Sequence, residues 1–408
     1  MLMTLLWVVF GALAGFVLLP VVGTLRFMRY VGRHGRRDFS GFTPKLSVIM
    51  PCKGIDPGFA DNVRSLLEQD YPDYELLFVT ATEDDPARAL LRDLVERHRE
   101  RPTRLLVSGI QPGRSQKLNN QLFACERARP DGQALVFVDS DVRARRTFLR
   151  ELVAPLANRN VGATTGFRWY IPERGGLGSY LRATWNGGGL PMLADPKLAY
   201  AWGGAMGILR QTFLRAGVAE RWDKALTDDF PVTVAVRNLG LRVEFVPQCL
   251  LGSHEDASLS QVLEWTNRQT VICRVYDPAL WRAIFAFHAV YVLGFVLAFA
   301  GLILSAVAPQ AGISAWPFVA MFGVIPIEMG AGMLLWHTVR RILPEIGGWR
   351  RALKHALLVP AAMFLIFHNS LHSLATRDIC WRGVVYRLHS PTRTEVMGTE
   401  AASGATRA

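Results

Sequence analysis

Long apolar runs near the two ends of the chain frame a middle in which short apolar runs alternate with amphipathic ones. Residues 1–25 carry no charged side chain, and Arg26, Arg29, Arg33, Arg36 and Arg37 follow at once. Crossing a bilayer core takes about 20 apolar residues, so Leu2 to Gly23 is long enough. A cleaved signal peptide carries its positive charge before the apolar run, not after it. The pattern predicts an uncleaved anchor over 1–25 with its N-terminus outside, then a basic juxtamembrane linker over 26–44 in the cytoplasm. Farther on, no Asp, Glu, Lys or Arg occurs from Ala283 to Ile327. That stretch opens a C-terminal membrane region over 283–376, with spans near 285–306 and 316–337 joined through Ala308-Pro309-Gln310-Ala311-Gly312. The loop after it carries Arg340, Arg341, Arg350, Arg351 and Lys354 and should be cytoplasmic. A third apolar segment, 356–374, turns polar at His368, Asn369, Ser370, His372 and Ser373. With a basic tail over 377–408 favouring the inside, this segment is expected to enter or lie on the membrane without crossing. Glu328 falls within the preceding span, where an acid is costly. It is by default a functional candidate, or it sits close enough to the cytoplasmic side to meet water or an arginine.

The middle predicts one α/β domain over 45–282. Strands are expected at Leu46–Met50, Tyr74–Thr80, Arg104–Ser108 and Ala134–Val138, with helices at Phe59–Gln69, Pro86–Arg99 and Lys117–Arg129. Strands alternating with helices imply a mostly parallel sheet covered on both faces. In such sheets ligands bind beyond the carboxyl ends of the strands.

Composition narrows the class. Of 408 residues, 50% are hydrophobic and 20% charged. That balance excludes disordered, collagen-like and disulfide-dense chains, and a mean hydropathy of +0.18 argues against a plain soluble enzyme. The net charge of +12 suggests an anionic partner. Much of it flanks the membrane segments and no basic–aromatic module occurs, so nucleic acid is not an expected partner. Cys52, Cys125, Cys249, Cys273 and Cys380 are scattered with no CxxC, and read as reduced thiols facing the cytosol.

No GxxxxGK[ST], GxGxxG, HExxH or GxSxG occurs, which leaves carboxylates at strand and loop ends. Val136-Phe-Val-Asp139-Ser140-Asp141 runs a buried strand into two aspartates at i and i+2, on one side of an extended chain. Two hard carboxylates there suit Mg²⁺ or Mn²⁺, which would bridge to phosphate oxygens; the same pair could shape a turn. Asp84 and Asp85 follow the second strand and could accept hydrogen bonds from a nucleotide or serve as helix-start acids. Asp228 and Asp229 follow Thr227, a good N-cap, yet a paired carboxylate also raises one partner's proton affinity, as a general base needs. Lys117 begins a helix after a glycine-containing loop, a place that can receive phosphate. Gln261, Glu264, Trp265 and Arg268 share a helical face by spacing. Trp202-Gly203-Gly204 could let a sugar approach the backbone and stack on an indole, or form a packed turn.

In this order the pieces resemble membrane-embedded glycosyltransferases of the GT-A fold, and above all the ceramide glucosyltransferase family with its relatives in hopanoid biosynthesis. Ser47-Val-Ile-Met-Pro51-Cys-Lys53-Gly54 is similar to the family's opening strand, and Asn62 to Pro72 to its next helix and turn. Glu83-Asp84-Asp85-Pro86, Asp139-Ser-Asp141 and Asp228-Asp229 correspond to its aspartate motifs, and the resemblance returns at Cys380-Trp-Arg-Gly-Val-Val-Tyr386. The family's (Q/R)xxRW motif reads Gln261-Val-Leu-Glu264-Trp265 here, with glutamate in place of arginine. Arg268, one turn on, could supply the charge, or the chain belongs to a neighbouring subgroup with another acceptor.

The resemblance implies inverting transfer of a hexosyl group, glucose first, from a UDP-sugar to the hydroxyl of a ceramide-like lipid. The alternatives are N-acetylglucosaminyl transfer to a hopanoid or other polyol lipid, and an inactive membrane scaffold of the same fold. It implies donor contacts at Pro51, Lys53, Asp84, Asp85, Lys117 and Asp139, and metal ligation by Asp139 and Asp141. Asp228 or Asp229 would be the base. Gln261, Trp265 and Arg268 would close over the substrates, and Trp202, Gly203 and Gly204 would touch acceptor or sugar. The expected location is an inner bacterial membrane, with the catalytic domain on the cytoplasmic side.

Overall fold

A computed structural model of the chain describes residues 2–35 and 41–399. Arg36, Arg37 and the tail beyond Thr399 lie outside the described residues. Contacts divide the chain into two compact units. One comprises 30–174, 192–256 and 377–408; the other comprises 1–29, 175–191 and 257–376.

The first unit is built on a seven-stranded sheet of β1 (Leu46–Pro51), β2 (Tyr74–Thr80), β3 (Thr103–Val107), β4 (Ala134–Val138), β5 (Val161–Ile171), β6 (Ala205–Leu209) and β7 (Arg242–His254). Its order is β3-β2-β1-β4-β6-β5-β7. All neighbours run parallel except those of β6, which is antiparallel to β4 and β5. The mostly parallel α/β sheet read from the sequence is thus present. Helices Phe59–Leu67, Ala87–Arg97 and Gln116–Arg127 connect the first four strands. The third starts at Ser115, whose hydroxyl accepts the Leu118 N–H at 3.3 Å, satisfying one of the helix's unpaired amides.

The strands are buried along their whole length in β1, β2 and β4, which is why they read as continuous apolar runs. Successive side chains enter opposite cores. Val48, Met50, Leu76, Phe78, Val136 and Val138 pack on one face, and Ile49, Leu77, Val79, Leu135 and Phe137 on the other. The stretch read as a basic tail adds a three-stranded antiparallel sheet of β8 (Asp378–Trp381), β9 (Val384–Ser390) and β10 (Arg393–Thr399). Its arginines alternate with apolar positions: Ile379, Tyr386 and Leu388 are buried, while Arg387 bonds Asp378 across the ladder at 2.7 Å. All five cysteines are free.

The second unit is helical. Among the described residues, Met3–His34, Pro278–Val307 and Trp316–Arg340 are each long and apolar enough to cross a membrane. The first helix runs past the expected anchor, so Arg26, Arg29 and Arg33 sit on its last turns rather than in a linker. Phe10, Val17, Tyr291, Phe295, Phe318 and Met321 pack among these helices. Leu5, Val8, Leu293, Phe299 and Val307 are exposed on the outside of this unit. Glu328 is buried and accepts the Tyr291 hydroxyl at 3.0 Å, so its partner is a neighbouring helix and not an arginine. Trp349–Leu357 and Val359–Ala375 form a pair bent by 42°. The polar half of the latter meets protein. Asn369 accepts the Trp185 indole at 3.1 Å and donates to Thr266 and Asn267 at 3.0 and 2.7 Å, and Ser373 accepts the Trp281 indole at 3.0 Å.

Candidate functional site

At the carboxyl edge of the seven-stranded sheet, β4 ends and Asp139-Ser140-Asp141 leaves it. The strand is a run of buried apolar residues, and its polar continuation emerges where the sheet stops. Ser140 is buried. Its hydroxyl donates to Asp56 at 2.6 Å and its carbonyl accepts from Asn62 at 3.0 Å. The two aspartates flanking it converge on one cation. Arg168 Nη2 lies 3.0 Å from Asp139 Oδ2 and 2.6 Å from Asp141 Oδ1, and Nη1 lies 2.7 Å from Asp141 Oδ2. Arg168 was not singled out from the sequence. Its signal is a lone charge in the apolar strand β5, which must find a partner where it is buried. Its guanidinium centre also lies 5.3 Å from the Trp202 ring and 5.5 Å from that of Tyr170, within cation–π reach.

Lys117 joins this carboxylate pair to the next. Its ammonium is 2.7 Å from Asp139 Oδ1 and 2.9 Å from Asp228 Oδ2. Burial opposes its charge, but the two carboxylates outweigh it and raise its pKa. Burial likewise opposes ionisation of Asp139, and Lys117 and Arg168 together hold its pKa below the ordinary value. Asp228 is 3% exposed and also accepts from Gln121 at 2.8 Å; Gln121 is a second residue the sequence did not flag. Asp229 differs. It starts the helix Asp229–Asn238 and takes bonds from the Thr227 hydroxyl and the Phe230 N–H. Burial, then the charge of Asp228, pushes its pKa up to about 6.

Trp202, Gly203 and Gly204 lead into β6, whose reversed direction starts it at this same edge. The Gly204 carbonyl accepts the Asp139 N–H at 3.3 Å. A Cβ on Gly203 would overlap the Asp228 carboxylate, so close approach explains the glycine. Pro51 ends β1 and is buried. Lys53 reaches the Arg382 carbonyl at 2.7 Å. Asp85 accepts from the Gly54 and Ala87 amides at 3.0 and 2.9 Å, tying the loop after β1 to a helix start. Asp84 is exposed, and bonds from Thr82 and its own amide lower its pKa.

Gln261, Trp265 and Arg268 lie in the helical unit, on Leu259–Tyr276. Gln261 forms a reciprocal capping box with Ser258, its side chain accepting the Ser258 N–H at 2.9 Å. Trp265 packs edge-on against Trp185 with ring centroids 5.1 Å apart. Glu264 is exposed and Arg268 half-buried.

The geometry stands beside clear relatives. The model of glycosyl transferase family 21 matches residues 12–394. Ceramide glucosyltransferase 1 of Caenorhabditis elegans is 34% identical over 86 residues, 21% of this chain and 18% of the relative. Ceramide glucosyltransferase 3 of the same animal is 29% identical over 104 residues, 26% of this chain and 22% of the relative. The chain thus spans about a fifth of the length of these curated relatives. Among solved structures, a Pyrobaculum calidifontis mannosyltransferase in complex with GDP-Man and Mn²⁺ is 17% identical, with 90% of this chain and 97% of that one covered at TM-score 0.44. Glucosyl-3-phosphoglycerate synthase of Mycobacterium tuberculosis, in complex with Mn²⁺, UDP and its product, is 15% identical, with 57% and 79% covered at TM-score 0.38. The chain belongs to glycosyl transferase family 21.

Proposed function

We propose that this chain is a membrane-bound, inverting glycosyltransferase that moves a hexosyl group, glucose first, from a UDP-sugar to the hydroxyl of a ceramide-like lipid. The observation that carries the reading is the Asp139–Lys117–Asp228 bridge at the carboxyl edge of the sheet. It joins a carboxylate pair suited to a donor's cation with a second pair suited to the acceptor's proton.

Asp139 and Asp141 fit a divalent ion by donor chemistry and by convergence, since one nitrogen of Arg168 already contacts an oxygen of each. Mg²⁺ or Mn²⁺ held there would supply positive charge to a diphosphate leaving group. Arg168 would have to withdraw from those oxygens, and its stacking surface on Trp202 and Tyr170 gives it somewhere to rest. Lys117 faces the same leaving group. An acceptor hydroxyl holds its proton far above pH 7, so attack on the anomeric carbon needs a base. Asp228 is a poor choice, with Lys117 and Gln121 on one oxygen. Asp229, which titrates near 6, is ionised at pH 7 and still basic enough to take the proton. The proton passes to Asp229, the oxygen bonds to the sugar, and the nucleoside diphosphate leaves with the electron pair of the broken bond.

The three long apolar helices among the described residues give the enzyme a reason to sit at the bilayer. A lipid acceptor loses about 0.8 kcal/mol for each CH₂ drawn into water, so its hydroxyl is best met at the interface. Arg26, Arg29 and Arg33 beside the first span favour the cytoplasmic side for the sheet, where a soluble donor arrives. Trp202, Gly203 and Gly204 remain the acceptor or sugar contacts under this reading.

The test is transfer of radiolabel from UDP-glucose or UDP-N-acetylglucosamine by the purified chain in micelles, offered ceramide, diacylglycerol or a hopanoid polyol, with and without Mg²⁺ or Mn²⁺. Metal-dependent label in ceramide supports the reading. Label in the polyol alone replaces the acceptor, and no binding of any UDP-sugar sinks the enzyme reading in favour of an inactive scaffold.

A further inference from the structure

The hairpin joining β8 to β9 turns through two residues, Arg382 and Gly383, with φ of 50° and 77°. Arg382 is the one non-glycine residue with positive φ among the described residues. A two-residue turn with both φ positive is ordinarily made by Asn-Gly or Gly-Gly, because a long side chain in the left-handed region crowds its own backbone. Strain of this kind persists where the side chain is needed at that point in space.

The side chain goes to the sheet edge described above. Arg382 Nη1 donates to the Lys53 carbonyl at 2.7 Å, and Lys53 Nζ returns a bond to the Arg382 carbonyl at 2.7 Å. Nη2 lies 2.9 and 3.2 Å from the two oxygens of Asp56. Asp56 in turn accepts from Ser140, the residue between Asp139 and Asp141. The guanidinium is therefore two hydrogen bonds from the loop that carries the carboxylate pair, and its charge is felt at both members of it. Even so, 36% of the side chain is open to solvent. A purely structural ion pair would not need an arginine in a strained turn; a Gly-Gly or Asn-Gly turn would close the hairpin at less cost.

We propose that Arg382 is a binding residue for the diphosphate of the nucleotide donor, presented by the hairpin tip and parked on Asp56 until phosphate takes its place. The planar fork of an arginine suits two oxygens of either a carboxylate or a phosphate, so the exchange keeps its geometry. The inference rests on the glycosyltransferase reading. It adds that residues more than 300 positions beyond the opening strand complete the donor pocket.

The experiment titrates UDP and UMP into the full chain in detergent with Mg²⁺, by calorimetry, for wild type, Arg382→Asn and Arg382→Lys. Asparagine suits the turn better than arginine, so Arg382→Asn should fold at least as stably, and its melting temperature checks that. The expected result is a loss of UDP affinity of roughly 10- to 100-fold in Arg382→Asn, the size of one or two charge-assisted bonds. UMP binding should change much less, and Arg382→Lys should fall between. An unchanged preference for UDP over UMP, or an equal loss for both, overturns the role of Arg382 and leaves the enzyme reading standing. Failure of the wild-type chain to bind either nucleotide defeats the enzyme reading itself.

Discussion

The two carboxylate pairs at the sheet edge are alike in sequence and unlike in circumstance. Asp139 and Asp141 share a guanidinium, and Asp139 also holds Lys117, so cations favour its ionised form. In the second pair the lysine contacts Asp228 and not Asp229, whose burial and like-charged neighbour outweigh its bonds from Thr227 and Phe230. Asp139 is thereby held ionised, while Asp229 is the carboxyl whose proton affinity is raised. The lesson is that position relative to two cations, and not residue type, divides the roles.

Asp229→Asn tests the division most directly. It should cut kcat/KM by about 10²–10⁴, the usual worth of a general base, while leaving UDP affinity intact; full activity would move the base elsewhere. For wild type, kcat/KM should fall about tenfold per pH unit below the pKa near 6. The sign for stability is opposite. A carboxyl whose folded pKa is raised from 3.8 to about 6 favours the fold most when protonated, and that contribution is lost as pH rises through about 6. Urea midpoints across that window should decline for wild type relative to Asp229→Asn.

Lys117→Met removes the cation between the pairs. Leaving two largely buried carboxylates less compensated should cost about 3–5 kcal/mol of folding stability, read as a fall in denaturation midpoint, and Lys117→Arg should restore part of it. A midpoint close to wild type would mean that Arg168 alone balances the site. Gly203→Ala is smaller. Its Cβ pushes on Asp228 and should cost about 1–3 kcal/mol as an overpacked contact does, with activity lost more than donor binding. Smallest is Gln261→Ala, which removes half of a capping box and should cost about 0.5–2 kcal/mol. An effect on kcat far beyond that would restore Gln261 to the chemistry.

Much of this arrangement is legible without coordinates. An apolar run such as Val136-Phe-Val138 that ends in aspartates can only be a buried strand reaching solvent, and the first four strands fall within a residue or so of where the pattern puts them. The capping box with Ser258, seen in the structure, is a local explanation for Gln261, a residue that spacing alone had assigned to a stripe. What the pattern could not give are the partners brought from afar. Arg168 and Arg382 meet carboxylates in Asp139, Asp141 and Asp56 through sheet order, not through any periodicity along the chain. The tail holding Arg382 read as a basic appendage because alternation over so short a strand is hard to tell from chance.

Count the charges around the bridge: Asp139, Asp141, Asp228 and Asp229 against Lys117 and Arg168 leave the pocket at minus two when every carboxylate is ionised. A bare nucleotide diphosphate approaching that edge meets repulsion, and one that travels with a divalent counter-ion does not. If the donor binds at this edge as proposed, the edge filters the form in which it enters, and an excess of metal-free nucleotide should be a feeble competitor even though it carries every atom of the leaving group.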